Sequence, residues 1–168
     1  MNKEVAIKII NILKDTYPDA KCSLDFTTPF EMLIAVILSA QCTDERVNKT
    51  TPAIFSKYST PEDFDKMPLE TLEELIHPCG FYKNKARNIK LTAEKIINEF
   101  NSEVPDNMED LLSLPGVGRK TANVVMLEAF NKPQGIAVDT HAKRISYSFE
   151  FSSEHRPEKI ELHLLKLF

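Results

Sequence analysis

The chain has 168 residues, enough for one good core or two small helical lobes, and 42% hydrophobic content makes a folded protein the default. A formal net charge of −4 excludes a broadly basic surface, so any hold on a polyanion has to be local. The three cysteines, Cys22, Cys42 and Cys79, are odd in number, far apart and without a Cys-x-x-Cys pair, which supports neither a disulfide framework nor a zinc site.

Residues 3–16 place Val5, Ile9, Ile12 and Leu13 on one side of a helix, widened by Ile7 and Ile10 and ended by Pro18. Lys3, Glu4 and Lys8 interrupt this stretch, so it lacks the apolar region of a signal peptide, and reduced thiols in a cytoplasmic protein are expected. Thr28 and Pro29 supply an N-cap and an N1 residue for a helix over 29–40. That helix is apolar almost all round and belongs in the middle of a domain; it is too short for a bilayer and contains Glu31. A polar gap at Ser39-Ala40-Gln41-Cys42-Thr43-Asp44 follows, with Thr43 or Asp44 capping a helix to about Tyr58. A gap of this kind between packed helices suits the edge of a cleft. Ser59-Thr60-Pro61-Glu62 repeats the cap-then-proline signature, and Met67-Pro68 opens a short helix that Gly80 ends.

Residues 83–100 read as a long helix with Ala86, Ile89, Ala93, Ile96 and Ile97 inside and its basic residues outside. Between 83 and 95 four lysines and one arginine face Glu94 alone, whereas 62–74 holds six acids against Lys66. Such polarity is compatible with a polyanion on one face only. Val104-Pro105 breaks the chain before a helix over 106–114, and a second helix stops near Lys132-Pro133. An extended connector over 134–138 leads to a helix capped by Asp139 or Thr140, and a last helix covers 157–168. With no strand ladder, repeat or low-complexity tract, the expected class is all-α.

The most informative stretch is Leu114-Pro115-Gly116-Val117-Gly118-Arg119-Lys120-Thr121-Ala122-Asn123. Two glycines beside a proline mark a tight hairpin, and Ala122, Val125, Met126, Ala129 and Phe130 then recur with helical spacing. A glycine hairpin that opens a helix presents free N–H groups and the positive end of the helix dipole, which suits a phosphate. Lys120 sits in the first turn, off the apolar stripe, where the dipole disfavours its charged form; an amine nucleophile requires that direction. An interhelical turn with a solvated lysine is the plainer reading of Gly-x-Gly alone.

Together with Val138-Asp139-Thr140-His141 downstream, this string resembles the endonuclease III family. The resemblance implies a helix-hairpin-helix DNA glycosylase fold: a six-helix domain over about 21–135, with the motif at about 107–131, and a second helical lobe from 1–20 and 136–168. It implies a bifunctional enzyme of base-excision repair that removes oxidised pyrimidines and cleaves abasic sites. Lys120 matches the lysine that attacks the sugar C1′, and Asp139 the aspartate that assists it; the cleft is expected between the two lobes. Adenine-removing relatives commonly carry serine at the lysine position, so Lys120 argues against a glycosylase without lyase activity. Gln41 matches the glutamine that enters the gap left by the extruded nucleotide. Cys79-Gly80-Phe81-Tyr82 resembles the wedge loop, with Phe81 where leucine is more usual; apart from the resemblance, an exposed loop glutamine and a core phenylalanine are the plainer readings. Gly116, Val117, Gly118 and Arg119 would hold a phosphate, with Arg144 adding a contact and Lys83, Lys85 and Arg87 extending the footprint.

His141 reads as structural, and His77, His155 and His163 show no metal spacing. Tyr147-Ser148 stand where the family usually has asparagine and arginine. The family continues for several tens of residues, with four cysteines that ligate a [4Fe–4S] cluster; this chain ends at Phe168, and none of its cysteines matches those ligands. The expectation is a C-terminally short chain with an incomplete second lobe and no bound cofactor. Its partner is damaged double-stranded DNA, not a membrane; it acts as a monomer in the cytoplasm, associated with the nucleoid in a prokaryote. The alternative is a shortened relative that binds DNA with impaired catalysis.

Overall fold

The computed structural model describes residues 2–168. Ten α-helices follow in order among them: α1 (Lys3–Thr16), α2 (Pro29–Ser39), α3 (Asp44–Phe55), α4 (Pro61–Lys66), α5 (Leu69–Ile76), α6 (Tyr82–Glu99), α7 (Met108–Leu112), α8 (Arg119–Glu128), α9 (Thr140–Ser148) and α10 (Pro157–Leu167). A 3-10 turn, His77–Cys79, joins α5 to α6, and the described residues contain no strand. The chain divides into two compact units, one of residues 23–132 and one of 1–22 with 133–168.

The larger unit is built round α2, whose residues from Phe30 to Leu38 are all buried. A helix apolar on every side can be satisfied only from every side, and α3, α6 and α8 all pack on it. Phe30 meets Phe64 of α4 edge to face, with ring centroids 5.4 Å apart. Glu31, alone charged in this run, is accommodated because its carboxylate accepts from the Thr27 amide at 2.7 Å and the Thr27 hydroxyl at 2.6 Å.

Several helix starts carry side-chain caps, those at Thr28, Thr43 and Thr60 as their sequences announce. Thr28, Thr43 and Asn107 accept from the amides of Glu31, Arg46 and Asp110, and Thr60 forms a reciprocal capping box with Asp63. The stops are equally local. Asn131 (φ +50°) takes the left-handed conformation, and the Lys132 amide reaches back to the Met126 oxygen at 2.9 Å, closing α8 ahead of Pro133. Asn101 closes α6 in the same way, with the Ser102 amide on the Ile96 oxygen at 3.1 Å. An ion pair from Lys132 to Asp106 joins the end of α8 to the segment before α7.

Two expectations are corrected. The basic residues of α6 do not all lie outside. Lys85 is buried, Lys90 donates to the main-chain oxygens of Phe64 (3.1 Å), Met67 (2.7 Å) and Asp65, and Lys95 donates to that of Ser113 (3.2 Å). Helix ends leave carbonyls without partners, and these ammonium groups satisfy them at the ends of other helices. In α1 the inward stripe runs through Ala6, Ile9, Ile10 and Leu13, while Val5 and Ile12 are exposed. Alanine, which the bulkier neighbours hide in a hydropathy reading, is the one fully buried residue of that helix.

In the smaller unit, Ala6, Val138, Phe151, Ile160 and Leu164 form the core, with Ile136, Phe149 and Leu167 against it. Phe151 contacts the rings of both Phe149 and Phe168. The buried Glu161 carboxylate accepts from the Ile136 amide at 3.2 Å, which pins the connector just before Val138.

Hydrogen bonds from Thr60 and from the Ser59 and Thr60 amides hold the Asp63 carboxyl below its ordinary value of 3.8. A lowered folded value contributes stability above the unfolded value, lost as pH falls through the folded one. Asp63→Asn is therefore expected to destabilise the protein by about 0.5–1 kcal/mol at neutral pH, the usual scale for a cap. In urea titrations the gap to wild type stays constant above pH 5 and closes as the pH drops below 3.8.

Candidate active site

Two glycines shape the hairpin between α7 and α8, and they do so for different reasons. Gly116 has φ +77°, and a Cβ there would lie 2.9 Å from the Asn88 Cβ of α6, so the chain itself demands glycine. Gly118 has φ −91°, a conformation open to any residue, and a Cβ there would meet nothing. Nothing within the protein calls for its small size. Gly118 is the N-cap of α8, and no side chain caps that helix start. An uncapped start with open space before it offers its amide groups to an outside acceptor.

The hairpin is held from behind by α6. Asn88, Thr92 and Lys95 lie on one face of that helix at i, i+4 and i+7. Asn88 sits against Gly116, the Thr92 hydroxyl donates to the Pro115 oxygen at 2.8 Å, and Lys95 donates to the Ser113 oxygen. Val117 is buried and anchors the loop tip, while Gly118, Arg119 and Lys120 are exposed. The structure thus brings Gly116, Val117, Gly118, Arg119 and Lys120 together, with the amine on the first turn beyond the open amides.

Gln41 and Phe81 lie in two other loops of the same unit. Gln41 follows α2 with φ +52°, and Phe81 precedes α6 with φ +47°; both side chains are exposed, Phe81 by 64%. This excludes a core role for Phe81. Left-handed backbone at residues that carry side chains is uncommon and persists where the surroundings hold it. Lys85 bonds to the segments before both residues. Only 6% exposed, its ammonium donates to the Leu38 oxygen at 2.8 Å and the Cys79 oxygen at 2.9 Å, at the roots of the two loops. Burial pushes its pKa down, and the neighbouring Cys42 and Cys79 thiols oppose that. Burial likewise raises the Cys79 thiol, against a hydrogen bond from Thr50. Lys85 is therefore no part of an exposed basic footprint, whereas Lys83 and Arg87 remain exposed.

Asp139 and Arg144 belong to the smaller unit. Asp139 is the N-cap of α9: its Oδ1 accepts from the Ala142 amide at 2.7 Å, which fixes the direction of the other oxygen. Arg144 is exposed on the same helix, beside Thr140, Lys143 and Tyr147 in a shallow hollow. A separate hollow, lined by Tyr147, Phe151, Ser152 and His163, contains neither residue.

Among the described residues no group of three or more His, Cys, Asp or Glu side chains is placed to hold a metal ion. Cys42 and Cys79 are neighbours in the larger unit, and Cys22 belongs to the other. A [4Fe–4S] cluster takes four thiolates, and the cysteines of this chain do not fit it.

The HhH-GPD superfamily of base excision DNA repair proteins matches residues 34–168. The endonuclease III of Synechocystis sp. (strain ATCC 27184 / PCC 6803 / Kazusa) is 52% identical over 165 residues, 98% of this chain and 75% of that protein. The chain belongs to the endonuclease III family. Among solved structures, a non-covalent endonuclease III–DNA complex superposes with a TM-score of 0.95 at 46% identity, covering 100% of this chain and 78% of the other. A trapped endonuclease III–DNA covalent intermediate matches equally well, with a TM-score of 0.95, 46% identity and coverage of 100% and 79%. The all-helical arrangement described above is this family's fold.

Sequence reasoning put Lys85 in an exposed footprint and missed Thr92 and Asn88; the structure buries the first. A signal for the first was present: Lys85 stands at i relative to Ile89, Thr92 and Ile96 at i+4, i+7 and i+11, on the buried stripe of α6.

The two glycines should part company on substitution. Gly116→Ala is expected to destabilise by about 1–3 kcal/mol, through positive φ and the clash with Asn88. Gly118→Ser adds a better N-cap in open space and should leave the thermal midpoint unchanged or raise it. Calorimetry of the two variants measures both.

Proposed function

We propose that this chain, a DNA glycosylase of the base-excision-repair family identified above, removes oxidised pyrimidines from duplex DNA and cleaves the resulting abasic site through Lys120. The observation that carries the reading is the exposed Lys120 amine on the first turn of α8, next to a helix start that no side chain caps. A phosphate on the hairpin amides fixes the DNA backbone without reading its sequence, and leaves an amine within one helical turn of that anchor.

The chemistry follows from the groups. The Lys120 Nζ lone pair attacks C1′ of the extruded nucleotide; the C1′–N bond breaks and the base departs with its electron pair and takes up a proton. Opening of the sugar ring leaves an iminium between Nζ and C1′. Loss of a C2′ proton then expels the 3′ phosphate by β-elimination, with the iminium accepting the electrons. Water releases the enzyme. Asp139 stabilises the cationic sugar and accepts protons, its carboxylate aimed by the cap bond to Ala142. Gln41 and Phe81 fill the gap in the stack, the exposed ring acting as an apolar wedge. Arg144 adds a phosphate contact, and the partner is damaged double-stranded DNA bound by a monomer.

Borohydride trapping on a duplex with one abasic site tests this. Wild type should form a covalent adduct that Lys120→Ala abolishes. Asp139→Asn keeps an equally good N-cap, so the fold is retained while cleavage falls by about 100-fold or more. Gly118→Ser should weaken DNA binding at unchanged stability. A folded wild type that binds DNA in a salt-sensitive way but gives no adduct would establish the second reading, a binding relative without turnover.

A further inference from the structure

Lys85 is a buried cation for which the reaction above has no task. A buried ammonium is retained where it is hydrogen-bonded, and both of its acceptors here are main-chain oxygens at helix ends. Leu38 lies in the last turn of α2, three residues before Gln41; Cys79 ends the 3-10 turn, two residues before Phe81. One ammonium group therefore spans the roots of two loops that are distant in sequence. Beyond each root the backbone turns left-handed, at Gln41 on one side and at Gly80 and Phe81 on the other. Few internal hydrogen bonds hold the tips: the Cys42 amide donates to the Ser39 oxygen at 3.1 Å and the Gly80 amide to the His77 oxygen at 3.2 Å. A shift of either root would move its exposed side chain by a comparable amount, and displacements near 1 Å are expensive at a reacting centre.

We propose that Lys85 is a positioning residue, a buried staple that fixes the spacing of the Gln41 and Phe81 loops so that both side chains enter the opened duplex together. The inference rests on the reading of Gln41 and Phe81 as the residues that fill the gap. Lys85 touches neither DNA nor the reacting atoms and acts through main-chain oxygens alone. Methionine is nearly its shape without the donors, so Lys85→Met removes the staple and keeps most of the packing.

The test uses the full chain and a duplex with one tetrahydrofuran abasic analogue, which cannot be cleaved, opposite 2-aminopurine. Insertion of the two side chains unstacks the probe and raises its fluorescence. Lys85→Met should reduce that rise at least fivefold and lower kcat for abasic-site cleavage by a similar factor, while KM stays within twofold. In a Gln41→Ala, Phe81→Ala background, adding Lys85→Met should cause no further loss. A Lys85→Met protein with wild-type fluorescence and kcat overturns the proposal, and so does a loss of the same size in both backgrounds. If Gln41→Ala, Phe81→Ala itself keeps the full signal, the gap-filling reading falls, whatever Lys85 does. Should Lys85→Met not fold, hydrogen exchange in the wild type decides. The Cys42 and Gly80 amides should open with one shared free energy and one denaturant dependence; separate openings overturn the staple.

Discussion

A helix end leaves carbonyl oxygens without helical partners, and in the larger unit a single helix supplies donors to several of them. Along α6, Lys85 serves the ends of α2 and the 3-10 turn, Lys90 the end of α4, and Thr92 and Lys95 the stretch after α7. The apolar side of the same helix, Ala86, Ile89, Ala93 and Ile96, belongs to the core. Core packing and loop placement are thus set by one rigid element. Remove α6 and the hairpin, the Gln41 loop and the Phe81 loop lose their common reference.

Much of the fold could be read from the sequence because the signals are local. A threonine accepting from an amide three residues on needs no knowledge of the rest of the chain, and the starts at Thr28 and Thr60 are of this kind. The apolar run of α2 gave away its own burial. What stayed hidden was long-range. Whether a lysine is solvated or caps a distant helix depends on which carbonyl lies opposite, and Lys90 finds partners more than twenty residues away. The inward stripe of α1 turns on Ala6, whose small size marks close approach and not hydrophobicity.

For the site, residue identity was legible and orientation was not. Lys120 and Asp139 stand out by their strings, but only the structure shows that Gly116 is required by its own φ and by Asn88 while Gly118 is not. Neither the conformation of Gly118 nor the space around it requires glycine there. Likewise the lysine-rich run of α6 looked like an electrostatic footprint, yet most of its ammonium groups are bonded to main-chain oxygens. For a chain of net charge −4, recognition of DNA through backbone amides at a helix start is then easier to reconcile than recognition through a field of cations.

The grip of α6 on its neighbours has an evolutionary side. Main-chain oxygens are the same whatever residue carries them, so Leu38, Cys79, Ser113 and Pro115 are held by an atom that substitution cannot delete. The loop tips beyond them are free to change identity while their attachment points stay put. A scaffold anchored in this manner can change the side chains at its loop tips without first having to reinvent its frame.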